Sequence, residues 1–146
     1  MRAYFGRRYR FSASHRLHAD SLSEQENHEV YGKCNNPFGH GHNYVVEVMV
    51  AGEVDPVTGM VCDLVHLDAC VREQIVEPFD YSNLNEQACF ARLVPTTENL
   101  CIEVDRRLCQ NFHEAQIHSV RVEETHNNFF EITHEAALPA RDAAAS

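Results

Sequence analysis

The chain has 146 residues, 44% apolar and 23% charged, ordinary values for one globular domain and unlike those of disordered, collagen-like or coiled-coil chains. Acids number 22 against 12 lysines and arginines, a net charge of −10, which argues against a nucleic-acid binder because such proteins carry a basic excess. No apolar run approaches the ~20 residues of a membrane span, and the arginine-rich start lacks the apolar core of a signal peptide. The first predicted element is a strand over Ala3–Ser14, where Tyr9, Phe11 and Ala13 alternate with Arg8, Arg10 and Ser12. Ala19–Asn27 is polar, with Asp20, Ser21 and Ser23 as capping types, and predicts a loop carrying a short helix. Tyr31–Gly41 holds Gly32, Asn35, Asn36, Pro37 and Gly39 and predicts a loop. His42–Ala51 predicts a second strand, with Tyr44, Val46, Val48 and Val50 on one face and Val45, Glu47 and Met49 on the other.

Asp55-Pro56-Val57-Thr58-Gly59 is a turn, because proline presets φ and glycine accepts a positive one. Met60–Asp63 is then expected as the returning strand of a hairpin. Leu64–Glu77 predicts a helix through Leu64, Leu67, Asp68, Val71 and Ile75, closed by Pro78. Phe79–Pro95 predicts a loop. Thr97–Phe112 predicts a second long helix, with Leu100, Val104 and Leu108 spaced by four and Thr96 or Thr97 as its cap. Ala115–Thr125 and Asn128–Thr133 predict two strands joined at His126-Asn127. Residues 1–135 are expected to form a single domain, and the alanine-rich tail 136–146 to fray. The order ββααββ implies an α+β fold, an antiparallel sheet with two helices on one face. So thin a unit leaves sheet edges and a second face for a partner.

Six cysteines, none in a C-x-x-C pair, are expected as free thiols in a reducing compartment, hence the cytoplasm. Ten histidines are unusual beside twelve lysines and arginines. Histidine is the commonest metal ligand and the usual acid–base group near neutral pH.

His40 and His42 stand at the mouth of the second strand, where side chains two apart point to the same side and can grip one ion. His15 ends the first strand and is the expected third ligand, with His18 and His28 as alternatives. Three histidines with an open fourth position describe a catalytic zinc site. A bare H-x-H fits a merely polar strand mouth equally well. Cys34 lies in a loop six residues before His40, where a nearby cation can lower its pKa and make it a base or nucleophile. The other five cysteines lie in or beside apolar stretches and read as core. Glu124, near a strand end, can accept two parallel hydrogen bonds from a guanidine-like edge.

Five ordered blocks carry a resemblance: FSASHRL at 11–17, GKCNNPFGHGHNY at 32–44, GEVDPVTGMV at 52–61, PTTEN at 95–99 and VEETHNN at 122–128. Together, from about Phe5 to about Glu131, they resemble the 6-pyruvoyl-tetrahydropterin synthase family. The resemblance implies the tunnelling fold, a ββααββ unit whose sheets close into trimeric barrels stacked in pairs as homohexamers. It also implies that His15, His40 and His42 hold zinc, that Cys34 is the catalytic cysteine, and that Glu124 anchors a pterin ring beside Thr96 and Thr97. Asp80 corresponds to the aspartate of the family's Cys–Asp–His relay. The next residue is Tyr81, where the family has histidine.

The resemblance implies a lyase that eliminates triphosphate from 7,8-dihydroneopterin triphosphate to give 6-pyruvoyl-tetrahydropterin. The spacing of Cys34 to H-G-H resembles that branch more than the 6-carboxy-tetrahydropterin branch of queuosine synthesis. The presence of Cys34 also sets the chain apart from a third branch, which carries a glutamate there. The rival readings are 6-carboxy-tetrahydropterin synthesis, or a pterin-binding homologue whose catalysis is impaired at Tyr81. Arg16 and Lys33 are placed to contact triphosphate.

Overall fold

A computed structural model of the chain describes residues 1–136. Its centre is a long antiparallel pair, β1 (Arg2–His15) and β2 (His40–Glu53). The pair runs from Arg2 opposite Glu53 to His15 opposite His40. On the far side of β2 come β4 (Gln116–Glu123) and then β5 (Phe129–Thr133), both antiparallel to their neighbours. The outer edge of β1 carries a two-residue strand, β3 (Ser82–Asn83), pairing parallel. The sheet order is β3-β1-β2-β4-β5.

Alternation decides which face is covered. Phe11, Ala13, Tyr44, Val46, Val48, Val120 and Val122 are buried under the helices α2 (Leu64–Val71) and α4 (Thr97–Asn111). Those helices answer with Leu67, Val71, Leu100, Cys101, Val104 and Leu108, all within the same core. Val104 and Leu108 pack as the spacing of four requires. Thr96 caps α4 by accepting from the Asn99 N–H at 3.2 Å, and Thr97 is buried behind it. Tyr9 reaches past the core to donate to Asp68 on α2 at 2.7 Å.

Three sequence-based expectations need correcting. Met60–Asp63 forms no strand; the turn closes through the Asp55 N–H on the Met60 carbonyl, and Asp63 caps α2. Pro78 does not end its helix. A π turn over Arg72–Val76 leads into α3 (Glu77–Phe79), which contains that proline. Proline has no N–H and crowds the carbonyl four residues back. That carbonyl, of Gln74, accepts instead from Arg107 at 3.0 Å. The stretch 79–95 is not all loop, since it contains β3 and two 3₁₀ turns. The short helix expected after β1 forms as α1 (Glu24–Tyr31), running four residues past the polar stretch and opened by a reciprocal capping box between Ser23 and Glu26. The S-x-x-E signal for it was present in the sequence. The tail expected to fray lies, beyond Ala136, outside the described residues. Among the described residues no helix is long and apolar enough to cross a membrane.

Candidate metal centre and adjoining cavities

One end of the sheet collects the end of β1, the start of β2 and the chain just past β4. Gly39 makes the approach possible. It adopts φ +68, and a Cβ there would meet the His15 carbonyl oxygen at 2.6 Å. Only glycine tolerates both demands. The next residue, His40, thereby pairs directly with His15, while His42 stands opposite the small Ala13.

The three side chains converge. The Nε2 atoms lie 3.2 Å apart for His15–His40 and 3.1 Å for both His42–His15 and His42–His40. Cys34 joins them, with its sulfur and the three ring nitrogens all within 4.8 Å of one another. In a tetrahedral zinc site with Zn–N near 2.0–2.1 Å, ligand nitrogens are separated by about 3.3 Å. The observed spacing is close to that edge. Nδ1 of His15 donates to the Pro95 carbonyl at 3.0 Å, so its Nε2 lone pair faces the cluster. His15 is 1% exposed, and burial pushes its pKa down to about 4 despite the nearby Glu124 carboxylate. Burial also lowers that of His42, again against Glu124. Three ring nitrogens this close cannot all be bridged by hydrogen bonds, and a cation between them satisfies all three at once. The donor set therefore fits a metal ion.

Cys34 sits on a 3₁₀ turn (Gly32–Asn35) fastened to the chain after β1. The Leu17 N–H donates to its carbonyl at 2.7 Å, and the Asn35 amide donates to the Leu17 carbonyl at 2.8 Å. Burial, then the Glu124 charge, push the Cys34 thiol pKa up.

Glu124 reaches the same centre. Its Oε1 lies 3.1 Å from Nε2 of His42 and 3.3 Å from Nε2 of His15. Its Oε2 accepts from the Asn128 amide at 2.7 Å. Glu124 also lines a cavity of about 300 Å³ with Thr96, Thr97, Leu17, Tyr31 and Phe129, just large enough for a small ligand. Arg16 and Lys33 line a larger space of about 1000 Å³ with His18, His28 and His40. His18 and His28 thus stand outside the metal cluster, and His18 pairs instead with the Asn35 amide at 3.1 Å.

Asp80 and Tyr81 do not join the Cys34 cluster, but they line a cavity of about 970 Å³ together with His42 and Glu124. They lie at the outer edge of β1, where Asp80 Oδ1 accepts from the Ser12 N–H at 2.9 Å and the Tyr81 N–H donates to the Ser12 carbonyl at 2.6 Å. Ser12 is three residues, about 10 Å, along the strand from His15. Tyr81 is 90% exposed with φ 54, a left-handed conformation that tyrosine rarely adopts. Sequence reasoning missed the Pro95 carbonyl, a backbone atom with no sequence signal, and Asn128, which stands in the VEETHNN block.

The sequence pattern of the family described as 6-pyruvoyl tetrahydropterin synthase matches residues 4–135. The 6-pyruvoyl tetrahydrobiopterin synthase of Poecilia reticulata is 48% identical over 86% of this chain and 86% of its own. That of Homo sapiens is 46% identical over 86% of this chain and 88% of its own. The structure of Caenorhabditis elegans 6-pyruvoyl tetrahydropterin synthase superposes with a TM-score of 0.86 at 39% identity, covering 92% of this chain and 97% of that one.

Proposed function

The chain belongs to the 6-pyruvoyl tetrahydropterin synthase family and is a lyase. On that premise we propose that it converts 7,8-dihydroneopterin triphosphate to 6-pyruvoyl-tetrahydropterin with loss of triphosphate, using zinc held by His15, His40 and His42. One observation carries this reading: three inward-facing imidazole nitrogens meet beside the Cys34 thiol and next to the cavity of Thr96, Thr97 and Glu124.

In this reading Glu124 accepts from the ring's N–H edge and, with Thr96 and Thr97, turns the side chain toward the histidines. That converts binding energy into orientation. Zinc bound there supplies Lewis acidity toward the side-chain oxygens. Cys34 removes the adjacent carbon-bound proton as thiolate. Burial and Glu124 favour the thiol, so the thiolate needs a neighbouring cation, and a metal on His15, His40 and His42 would supply one. Arg16 and Lys33 supply positive charge for the triphosphate.

Asp80 orients the relay and Tyr81 takes the place of its histidine, both contributed by a second copy. The sheet supports an assembly of that kind. Its uncovered face carries Arg8, Arg10, Glu47 and Arg121, which alternate with the core residues, and its edges end in the two-residue β3 and the short β5. A homohexamer built of two barrel-forming trimers would cover both. Six free thiols suit a reducing compartment such as the cytoplasm.

The test is product analysis with 7,8-dihydroneopterin triphosphate and added zinc. Triphosphate release with a pyruvoyl product supports the reading. A carboxy product would move the chain to the 6-carboxy-tetrahydropterin branch. Pterin binding without release above a no-enzyme control would favour an impaired homologue, the reading for which exposed, strained Tyr81 speaks.

A further inference from the structure

A second group of metal-binding side chains lies away from this centre. Asp105 and Cys109 are four apart on α4 and therefore share one face of the helix. His134 follows β5 and is held there by its own N–H, which donates to the His118 carbonyl at 2.7 Å. One oxygen, one sulfur and one nitrogen meet: His134 Nε2 is 2.7 Å from Asp105 Oδ1 and 3.7 Å from Cys109 Sγ, and Sγ is 3.8 Å from Oδ1. Cys109 and His134 open onto a cavity of about 580 Å³.

Two chemistries use a Cys–His–Asp set, and geometry chooses between them. In a nucleophile relay the imidazole serves the thiol with one nitrogen and the carboxylate with the other. Here thiol and carboxylate both face the same nitrogen, Nε2, and also face each other. A carboxylate beside a thiol disfavours the thiolate, and burial followed by Asp105 pushes the Cys109 thiol up to about 11. That is opposite to what a nucleophile needs. Convergence on one point is instead the arrangement of ligands around an ion. With Zn–S near 2.3 Å and Zn–N or Zn–O near 2.0–2.2 Å, tetrahedral S···N and S···O separations are about 3.6 Å and N···O about 3.4 Å. Both sulfur separations already fall close to those values. The N···O pair is shorter because a hydrogen bond now joins it.

We propose that Asp105, Cys109 and His134 form a second site for zinc, distinct from the histidine cluster, which ties α4 to the chain beyond β5. Binding displaces the Cys109 thiol proton to solvent and requires His134 to carry its ring proton on Nδ1 rather than Nε2, so that the Asp105–His134 hydrogen bond is replaced by two metal bonds. The fourth position faces the cavity and takes water. The tie closes the C-terminal half of α4 onto the last strand, so its effect is on stability rather than on turnover.

The test uses full-length protein carrying Cys34→Ser, which removes the thiol of the first cluster. Cobalt(II) is titrated in and thiolate-to-metal charge-transfer absorption is read. The expected result is a band that saturates, disappears with Cys109→Ser and needs at least about tenfold more cobalt with His134→Ala. Asp105→Asn keeps the side-chain volume and should weaken binding without altering the circular-dichroism spectrum. Absence of the band, or its survival in Cys109→Ser, would overturn the proposal. Zinc retained by His15, His40 and His42 is read separately in Cys109→Ser with Cys34 intact, so failure of one site is not mistaken for failure of the other.

Discussion

His15 and His40 face each other across the β1–β2 pair, and their Nε2 atoms meet at 3.2 Å. The last residue of one strand and the first of the other thus form one edge of a metal site, and His42, two residues on, supplies its apex. His42→Ala should remove the zinc held at this end of the sheet while leaving the fold intact, because the core is built elsewhere. Metal analysis after dialysis, with circular dichroism alongside, reads both. Full retention of that zinc rejects the ligand set.

Cys34 is the one cysteine beside the histidine cluster. Cys34→Ala should bind substrate yet lose turnover by the factor of about 10² to 10⁴ that a positioned base contributes. Cys89→Ala and Cys101→Ala should keep turnover if folded. Cys101 is fully buried in the core, so its variant is judged only after its melting temperature is known. Equal inactivation of a folded Cys89→Ala protein would remove the special role of Cys34.

Glu124 divides its two oxygens between the histidines and Asn128. Glu124→Gln keeps the shape but presents an amide N–H to a ring edge that is itself a donor. A hydrogen bond to a charged group contributes about 1.5–3 kcal/mol, so pterin affinity should fall roughly ten- to a hundredfold. Calorimetry with a pterin measures it, and zinc content is checked in the same sample because the carboxylate also touches the metal ligands. Unchanged affinity would place the ring elsewhere.

Gly39→Ala should be costly for its position. Its Cβ would meet the His15 carbonyl at 2.6 Å, at a φ of +68. Backbone strain of this kind costs about 1–3 kcal/mol. The expected outcome is a lower melting temperature together with loss of zinc, since the same turn delivers His40. Gly59→Ala has a φ of +73 but open space around it, so it should lower stability less and leave zinc in place.

Tyr81 is exposed, in a left-handed conformation, and lines a cavity with His42 and Glu124 without joining the Cys34 cluster. A phenol is a much poorer proton acceptor near neutral pH than an imidazole. Tyr81→His should therefore raise kcat in the assembled enzyme, toward the factor of about 10² that a positioned acid–base group contributes. Tyr81→Phe should lower kcat if the hydroxyl takes part. No change in either variant would take position 81 out of the relay.

Much of this molecule was legible as period. The alternation of Tyr44, Val46, Val48 and Val50 specified a strand and its buried face, and the spacing of Leu100, Val104 and Leu108 specified α4. The same period of two placed His40 and His42 on one side. The PTTEN and VEETHNN blocks marked Thr96, Thr97 and Glu124, which the fold gathers around one cavity. Periodicity is a local property, however, and it carries no register. Whether His15, His18 or His28 completes the cluster depends on which residue of β1 lies opposite His40, and Gly39 and the β1–β2 pairing decide that. The π turn before Pro78, the Pro95 carbonyl behind His15 and the place of Asp80 outside the Cys34 cluster are likewise products of packing between distant segments. Cys109 and His134, 25 residues apart, meet only because β5 returns beside α4. Spacing along a chain determines which side chains share a face, and only the closed fold determines which faces meet.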